Sequence, residues 1–158
     1  MGVAGCGKSS LAVALSKKLG WHLIEGDDFH PPENVQKMRS GVALNDEDRA
    51  GWLAVLADEL VRLGPQAVLT CSALKKAYRD RLRVSVPMLR FVHLELTPEQ
   101  SMARVAQRSH HYFQPALVES QFKTLEKPVD EPGVLSVDGT LSIENLQEKV
   151  CDWIRSTP

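Results

Sequence analysis

The sequence predicts an α/β fold in which a parallel sheet is covered by helices on both faces. Three observations carry that expectation. The chain opens on a glycine-rich turn that runs directly into a helical pattern, and short apolar strand-like runs then alternate with helical runs to the end. Charged residues also gather immediately after the strand-like runs, at the end of a sheet where ligands of such folds are handled.

The opening stretch Gly2-Val3-Ala4-Gly5-Cys6-Gly7-Lys8-Ser9 matches G-x-x-x-x-G-K-[ST], the loop that cradles nucleotide phosphates. Glycines at positions 2, 5 and 7 let main-chain N–H groups converge on phosphate oxygens. From Ser10 to Leu19 the pattern is helical, with Leu11, Leu15 and Leu19 on one face, so the loop feeds a helix N-terminus that favours an anion. Residues Gly2, Val3, Ala4, Gly5, Cys6, Gly7, Lys8, Ser9 and Ser10 are the candidate nucleotide ligands. In this pattern Lys8 reaches the β- and γ-phosphates and the Ser9 hydroxyl sits on Mg²⁺. A plain glycine turn ahead of an amphipathic helix is the alternative.

The 158 residues suffice for one domain, spanning 1–158, with its own core. Hydrophobic residues at 43% and charged residues at 25% are ordinary for a soluble globular chain. A formal net charge of −1 supplies no general attraction to nucleic acid or to an anionic membrane, so any anion site must be local. No apolar run approaches a bilayer span and no signal-peptide pattern opens the chain, which points to a cytoplasmic protein. Cys6, Cys71 and Cys151 are odd in number and show no metal-ligand spacing, so reduced thiols are expected.

After Gly20 the run Trp21 to Glu25 reads as a buried strand. It leads into Glu25-Gly26-Asp27-Asp28-Phe29-His30-Pro31-Pro32, whose carboxylates fall where Mg²⁺ and a hydroxyl substrate would be handled. The same residues read equally as a solvated turn, and His30 equally as a packing or capping histidine. A short helix is expected over Glu33 to Arg39. Asn45 then caps a longer helix whose stripe of Trp52, Leu53, Leu56, Leu60 and Leu63 is core.

Gly64-Pro65 stops that helix, and Ala67 to Cys71 is the next strand. The following run, Ser72 to Arg83, is read as one helix bearing Lys75, Lys76, Arg79, Arg81 and Arg83. Starting at a strand's carboxyl end, it can direct Lys76 and Arg79 at a carboxylate or phosphate, or present a solvated basic face. Leu89 to Glu95 is a further strand, and Thr97-Pro98-Glu99-Gln100 has the form of a capping box. The helix it starts runs to about Arg108 and carries Arg104 and Arg108 four residues apart. The aromatic and His-rich segment from Ser109 to Pro115 then interrupts it, and the span from about 104 to 122 is expected to form a short lid over phosphates. Gly133 to Val137 is the last strand and Ser142 to Arg155 the closing helix.

Taken together, five blocks carry a family resemblance: the phosphate loop, Gly26 to Pro31, Leu44-Asn45-Asp46-Glu47-Asp48-Arg49, Cys71 to Asp80, and Ser120-Gln121-Phe122-Lys123-Thr124-Leu125-Glu126. In this order they resemble the gluconokinases of the phosphate-loop type, and the likeness covers essentially the whole chain. The resemblance implies ATP-dependent phosphorylation of D-gluconate at its 6-hydroxyl, with Mg²⁺ required and often a homodimer. It also implies a three-layer fold like that of adenylate and shikimate kinases, with a five-stranded parallel sheet and a mobile lid. Residue by residue, Asp27 matches the acid that faces the accepting hydroxyl, and Glu25 a position near the metal's water shell.

With that family in view, the catalytic candidates are Lys8, Asp27, Arg104 and Arg108. Substrate-binding candidates are Asp27, His30, Lys76, Arg79 and His111, and Ser9 and Glu25 are the metal candidates. Two departures from the family pattern stand out. The lid reads His110-His111-Tyr112-Phe113 where the family has Gly-His-Phe-Met or similar. The family's first, central strand precedes the phosphate loop and is missing here, which implies a gap of roughly 10 Å, about two strand spacings. Met1 matches an internal methionine of the family, so a start about ten residues upstream is expected. Readings that remain open are a same-fold kinase for another small hydroxyl substrate such as shikimate, and a truncated, non-catalytic relative.

Overall fold

Local caps set the boundaries of the elements. The computed structural model describes residues 1–107 and 115–156. Helix α1 (Lys8–Leu19) follows Gly7 and ends at Gly20, whose N–H donates to the Ser16 carbonyl. Strand β1 (His22–Glu25) runs into a 3-10 turn, Gly26–Phe29, and then into α2 (Pro32–Arg39). Helix α3 (Asp46–Leu63) starts from a complete capping box: Asn45 accepts from the Asp48 N–H, and Asp48 accepts from the Asn45 N–H. Strand β2 (Ala67–Thr70) and α4 (Lys76–Ser85) follow. Strand β3 (Phe91–Glu95) precedes α5 (Pro98–Ala106), which begins with a second reciprocal box between Thr97 and Gln100. Helix α6 (Pro115–Thr124), β4 (Val134–Asp138) and α7 (Ile143–Ser156) complete the described chain.

The strands form two parallel pairs. β1 lies beside β2 with Glu25 opposite Thr70, and β3 beside β4 with Glu95 opposite Asp138. Of the five-stranded parallel sheet that the resemblance implies, four strands are present among the described residues, as these two parallel pairs. Successive strand residues enter opposite cores: Ala67, Leu69, Phe91 and Val134 join Trp52, Leu53, Leu56 and Leu60 of α3, while Val68, Val92 and Leu135 join Leu11 and Leu15 of α1 and Leu146 and Val150 of α7. Strands buried on both faces in this way need helices on both sides, as the alternating sequence predicts. Between β2 and β3 lies a largely apolar cavity of about 350 Å³. Met1 borders it, with its ammonium donating to the Val92 carbonyl and its own carbonyl accepting from the Leu94 N–H at 3.0 Å.

Helix α4 begins at Lys76 rather than at Ser72. Residues 72–75 form a turn in which Ala73, fully buried, adopts φ 44°, a left-handed conformation uncommon for a residue with a Cβ. Arg79 holds this turn. Its Nη1 donates to the carbonyls of Ala73 and Leu74 at 3.0 and 3.2 Å, its Nη2 to those of Glu126 at 3.3 Å and to Glu131 at 2.6 Å, and its Nε to the Glu131 carboxylate at 2.9 and 3.0 Å. A guanidinium has five N–H donors, and all five are engaged here. Arg79 is therefore a structural residue, 1% exposed, and has no donor left for the substrate carboxylate assigned to it from sequence. Burial opposes the charge on Glu131, yet the hydrogen bonds from Arg79 and Arg83 outweigh it and hold the carboxyl below its usual range.

Two predictions follow from these buried groups. Removing Arg79 leaves Glu131 charged and enclosed, so Arg79→Ala is expected to lower stability by about 3–5 kcal/mol in urea unfolding, with Arg79→Met combined with Glu131→Leu recovering much of it. A single variant as stable as the parent but with a raised KM for substrate would return Arg79 to the substrate site. Burial also pushes His30 and His93 down to about 4. Each is a base whose folded value lies below its unfolded one, so its contribution is complete above the unfolded value and is lost as pH falls through the folded one. Stability should therefore decline as pH falls from about 6.5 to about 4, by on the order of 3 kcal/mol for each imidazole, and His93→Gln should flatten that decline. A flat profile would contradict the burial of these groups.

Candidate active site

The phosphate loop spans Gly2 to Ser9 at the mouth of a cleft of about 110 Å³. Gly7, the residue before α1, sits at φ 97°, and a Cβ built there would meet nothing within 4 Å, so backbone conformation rather than space calls for glycine. Gly7 has no side chain with which to cap the first N–H groups of α1, so at this position the helix N-terminus is left for an anion. Lys8 Nζ donates to the carbonyls of Gly2 and Val3 at 3.1 and 3.0 Å, and its third direction meets only Cys6 Sγ at 3.8 Å. Sulfur is a weak acceptor, so that contact exchanges readily for a phosphate oxygen. Ser9 lines the cleft, and Ser10 beside it is exposed.

Two helices brace the loop from outside. Ser101 of α5 donates to the Ala4 carbonyl at 2.7 Å, and Gln121 of α6 accepts from the Ala4 N–H at 2.6 Å. Arg104 donates to the Gly5 carbonyl at 3.4 Å, which places a cation against the loop. Arg108, His110 and His111 lie outside the described residues, as does the segment 108–114 of the expected lid.

The opposite wall grows from the end of β1. Gly26 is pressed against β2: a Cβ there would stand 2.1 Å from the Thr70 carbonyl oxygen. Its N–H donates to Thr70 Oγ1 at 3.0 Å, that hydroxyl donates to the Glu25 carboxylate, and its carbonyl accepts from Trp52 Nε1 at 2.7 Å. The turn so fixed presents Asp27, 71% exposed, to the cleft. His30 stacks on Trp52 with ring centroids 4.2 Å apart, and its Nε2 lies 3.8 Å from Asp27. The His30 side chain is 4% exposed, and its buried Nδ1 has no hydrogen-bond partner among the described residues. Its burial keeps the imidazole neutral at physiological pH.

The cleft also holds a cation that the sequence reading did not select. Arg49 is 8% exposed and lines the cleft, donating to the Leu44 carbonyl at 3.3 Å and to Ser72 Oγ at 3.4 Å. Among the described residues it forms no ion pair with any carboxylate, unlike Lys37, Lys75, Lys76, Arg79 and Arg83. The capping box at Asn45 and the ion pair of Lys75 with Asp46 fix the first turn of α3 from which it projects. A signal was present in the sequence. Arg49 precedes Trp52, Leu53 and Leu56 by three, four and seven residues, so it shares the buried stripe of its helix, an unusual place for an arginine.

The candidates therefore divide. Lys8, Ser9, Glu25, Asp27 and His30 line one cleft with Arg49, Trp52, Ser72 and Gln121. Lys76 and Arg79 do not. Lys76 lies on the surface, paired with Asp80 at 2.5 Å, and its backbone N–H donates to Glu126, which caps α4. Among the described residues, no three His, Cys, Asp or Glu side chains are grouped to hold a metal by themselves.

Comparison with known proteins agrees with this geometry. A family model described as an AAA domain matches residues 1–132. A gluconokinase of Gluconobacter oxydans is 46% identical over 142 residues, covering 88% of this chain and 80% of that protein. The thermoresistant gluconokinase of Escherichia coli is 38% identical, covering 98% of this chain and 91% of its own. The crystal structure of a gluconokinase from Sinorhizobium meliloti superposes with a TM-score of 0.86 at 36% identity, over 99% of this chain and 95% of that one. With a phosphate loop, a cleft carboxylate and a buried arginine in one place, and relatives this similar over nearly their full length, the chain belongs to the gluconokinase family.

Proposed function

We propose that the protein transfers the γ-phosphoryl group of ATP to the 6-hydroxyl of D-gluconate, giving 6-phospho-D-gluconate and ADP. The observation that carries this reading is the cleft's composition: an exposed carboxylate, Asp27, and a buried arginine that forms no ion pair among the described residues, Arg49, share the space in front of the phosphate loop. A sugar acid has a hydroxyl terminus to be deprotonated and a carboxylate terminus to be neutralised. The two side chains match those two ends.

In this reading the loop N–H groups, the open N-terminus of α1 and Lys8 hold the phosphates of ATP. Ser9 and Glu25 would supply hard oxygen donors that suit Mg²⁺, directly or through its waters, and the ion would neutralise charge on the phosphate oxygens. Asp27 orients the 6-hydroxyl and accepts its proton as the new O–P bond forms and the bond from phosphorus to the ADP oxygen breaks. Neutral His30, locked against Trp52, limits the directions that Asp27 can take. Arg49, rather than Lys76 or Arg79, binds the gluconate carboxylate through a charge-assisted contact. Arg104 remains beside the loop, where it adds positive potential near the transferring group.

Steady-state kinetics on two variants test these roles together. Asp27→Asn is expected to lower kcat by roughly 10²–10⁴-fold with little change in ATP affinity. Arg49→Met is expected to raise KM for gluconate by about 10²-fold, the cost of a lost charged hydrogen bond, and to abolish the preference for gluconate over its uncharged analogue glucitol. An Asp27→Asn enzyme with the parent kcat would remove Asp27 as base. An Arg49→Met enzyme that still preferred gluconate would remove Arg49 as the carboxylate site, and faster turnover of shikimate or a nucleoside by the parent would reject the substrate itself.

A further inference from the structure

Arg49 is held by more than its hydrogen bonds. A guanidinium has five N–H donors, and among the described residues two of them are used, Nε on the Leu44 carbonyl at 3.3 Å and Nη1 on Ser72 Oγ at 3.4 Å. Both contacts are long, and neither acceptor carries charge. A second support stands behind the cleft. The Tyr78 ring is buried and does not line the cleft, yet its centroid lies 5.7 Å from Arg49 Cζ, within reach of a cation–π contact.

Tyr78 is itself tied down. Its hydroxyl donates to the Asp46 carboxylate, which also accepts from Lys75 Nζ at 2.7 and 2.8 Å. Asp46 opens α3 and Arg49 follows it by three residues, so one side chain in the first turn of α4 meets two positions on the first turn of α3, one through its hydroxyl and one through its ring. Lys75 Nζ also lies 5.6 Å from the ring centroid, but Asp46 already answers its charge.

A ring in this place has an electrostatic consequence. A carboxylate beside Arg49 would neutralise it, as Glu131 neutralises Arg79, and an incoming anion would have to compete with that partner. An aromatic face attracts the cation through its quadrupole and brings no net charge into the site. The guanidinium is then oriented before substrate arrives, which lowers the ordering cost of binding.

Taking Arg49 as the carboxylate site, the reading on which this step rests, we propose that Tyr78 is a positioning residue for substrate recognition: its ring face holds the Arg49 guanidinium in the orientation that meets the substrate carboxylate. Its effect reaches the substrate only through Arg49.

Steady-state kinetics with gluconate, ATP and Mg²⁺ test this on Tyr78→Phe, on Tyr78→Leu and on a form with pentafluorophenylalanine at position 78, whose ring keeps the phenylalanine shape but has the opposite quadrupole. Tyr78→Leu and the fluorinated form are expected to raise KM for gluconate at least about fivefold, with kcat and KM for ATP within about twofold of the parent. Tyr78→Phe, which keeps the ring face, should hold KM for gluconate within about twofold. Combined with Arg49→Met, none of the three should raise that KM further. A fluorinated form with the same KM as Tyr78→Phe would overturn the proposal even if Tyr78→Leu failed to fold, and so would an equal rise in KM with and without Arg49. Failure of the underlying reading leaves a different mark: Arg49→Met alone would keep the parent KM for gluconate, and the role of Tyr78 would fall with it.

Discussion

The close approach of Gly26 to the Thr70 carbonyl is the constraint on which the cleft depends. A distance of 2.1 Å from a built Cβ to that oxygen leaves no room for any side chain. Because the backbone can come that near, Thr70 bridges Gly26 and Glu25, Trp52 reaches the Gly26 carbonyl, and the chain turns at once into the segment bearing Asp27 and His30. The same tryptophan belongs to the α3 core and to the His30 stack. The wall of the cleft that bears Asp27 is thus fastened to the hydrophobic core through one indole.

A second organising element is the division of labour between two arginines. Arg79 and Arg49 are both almost fully buried, yet one is saturated by Glu131 and three carbonyls, while the other, among the described residues, meets a carbonyl, a hydroxyl and the Tyr78 ring and forms no ion pair. An enclosed guanidinium with a carboxylate partner is structural, since its charge is already neutralised in a fixed geometry. One that faces a cleft with only neutral partners keeps its field for an incoming anion. Arg79 still serves the site indirectly, because the strained turn it secures at Ala73 carries Ser72, which contacts both Arg49 and the phosphate loop.

What the sequence could reveal follows the range of each interaction. Caps are local, so Asn45, the Thr97–Gln100 box and the helix stop at Gly20 were legible, and so was the phosphate loop, whose function resides in consecutive backbone amides. The start of α4 was not, because a run rich in Lys and Arg has good helix propensity from Ser72 onward while the left-handed Ala73 is imposed by distant partners. Arg79 could not be told from a substrate ligand, since the residue that claims it, Glu131, lies 52 positions away. For His30 both readings were open, and its stack on Trp52 shows a packing role at the edge of the cleft.

These elements support one chemical account, in which the amide nest at the start of α1 fixes ATP while Asp27 and Arg49 hold a sugar acid by its two ends. The most direct measurement is the position of the new bond. Uniformly ¹³C-labelled D-gluconate incubated with the protein, ATP and Mg²⁺ should yield a product whose C6 resonance is split by coupling to ³¹P, with matching formation of ADP. ATP consumed with no such splitting, or phosphorus coupling that centres on another carbon, would contradict the account.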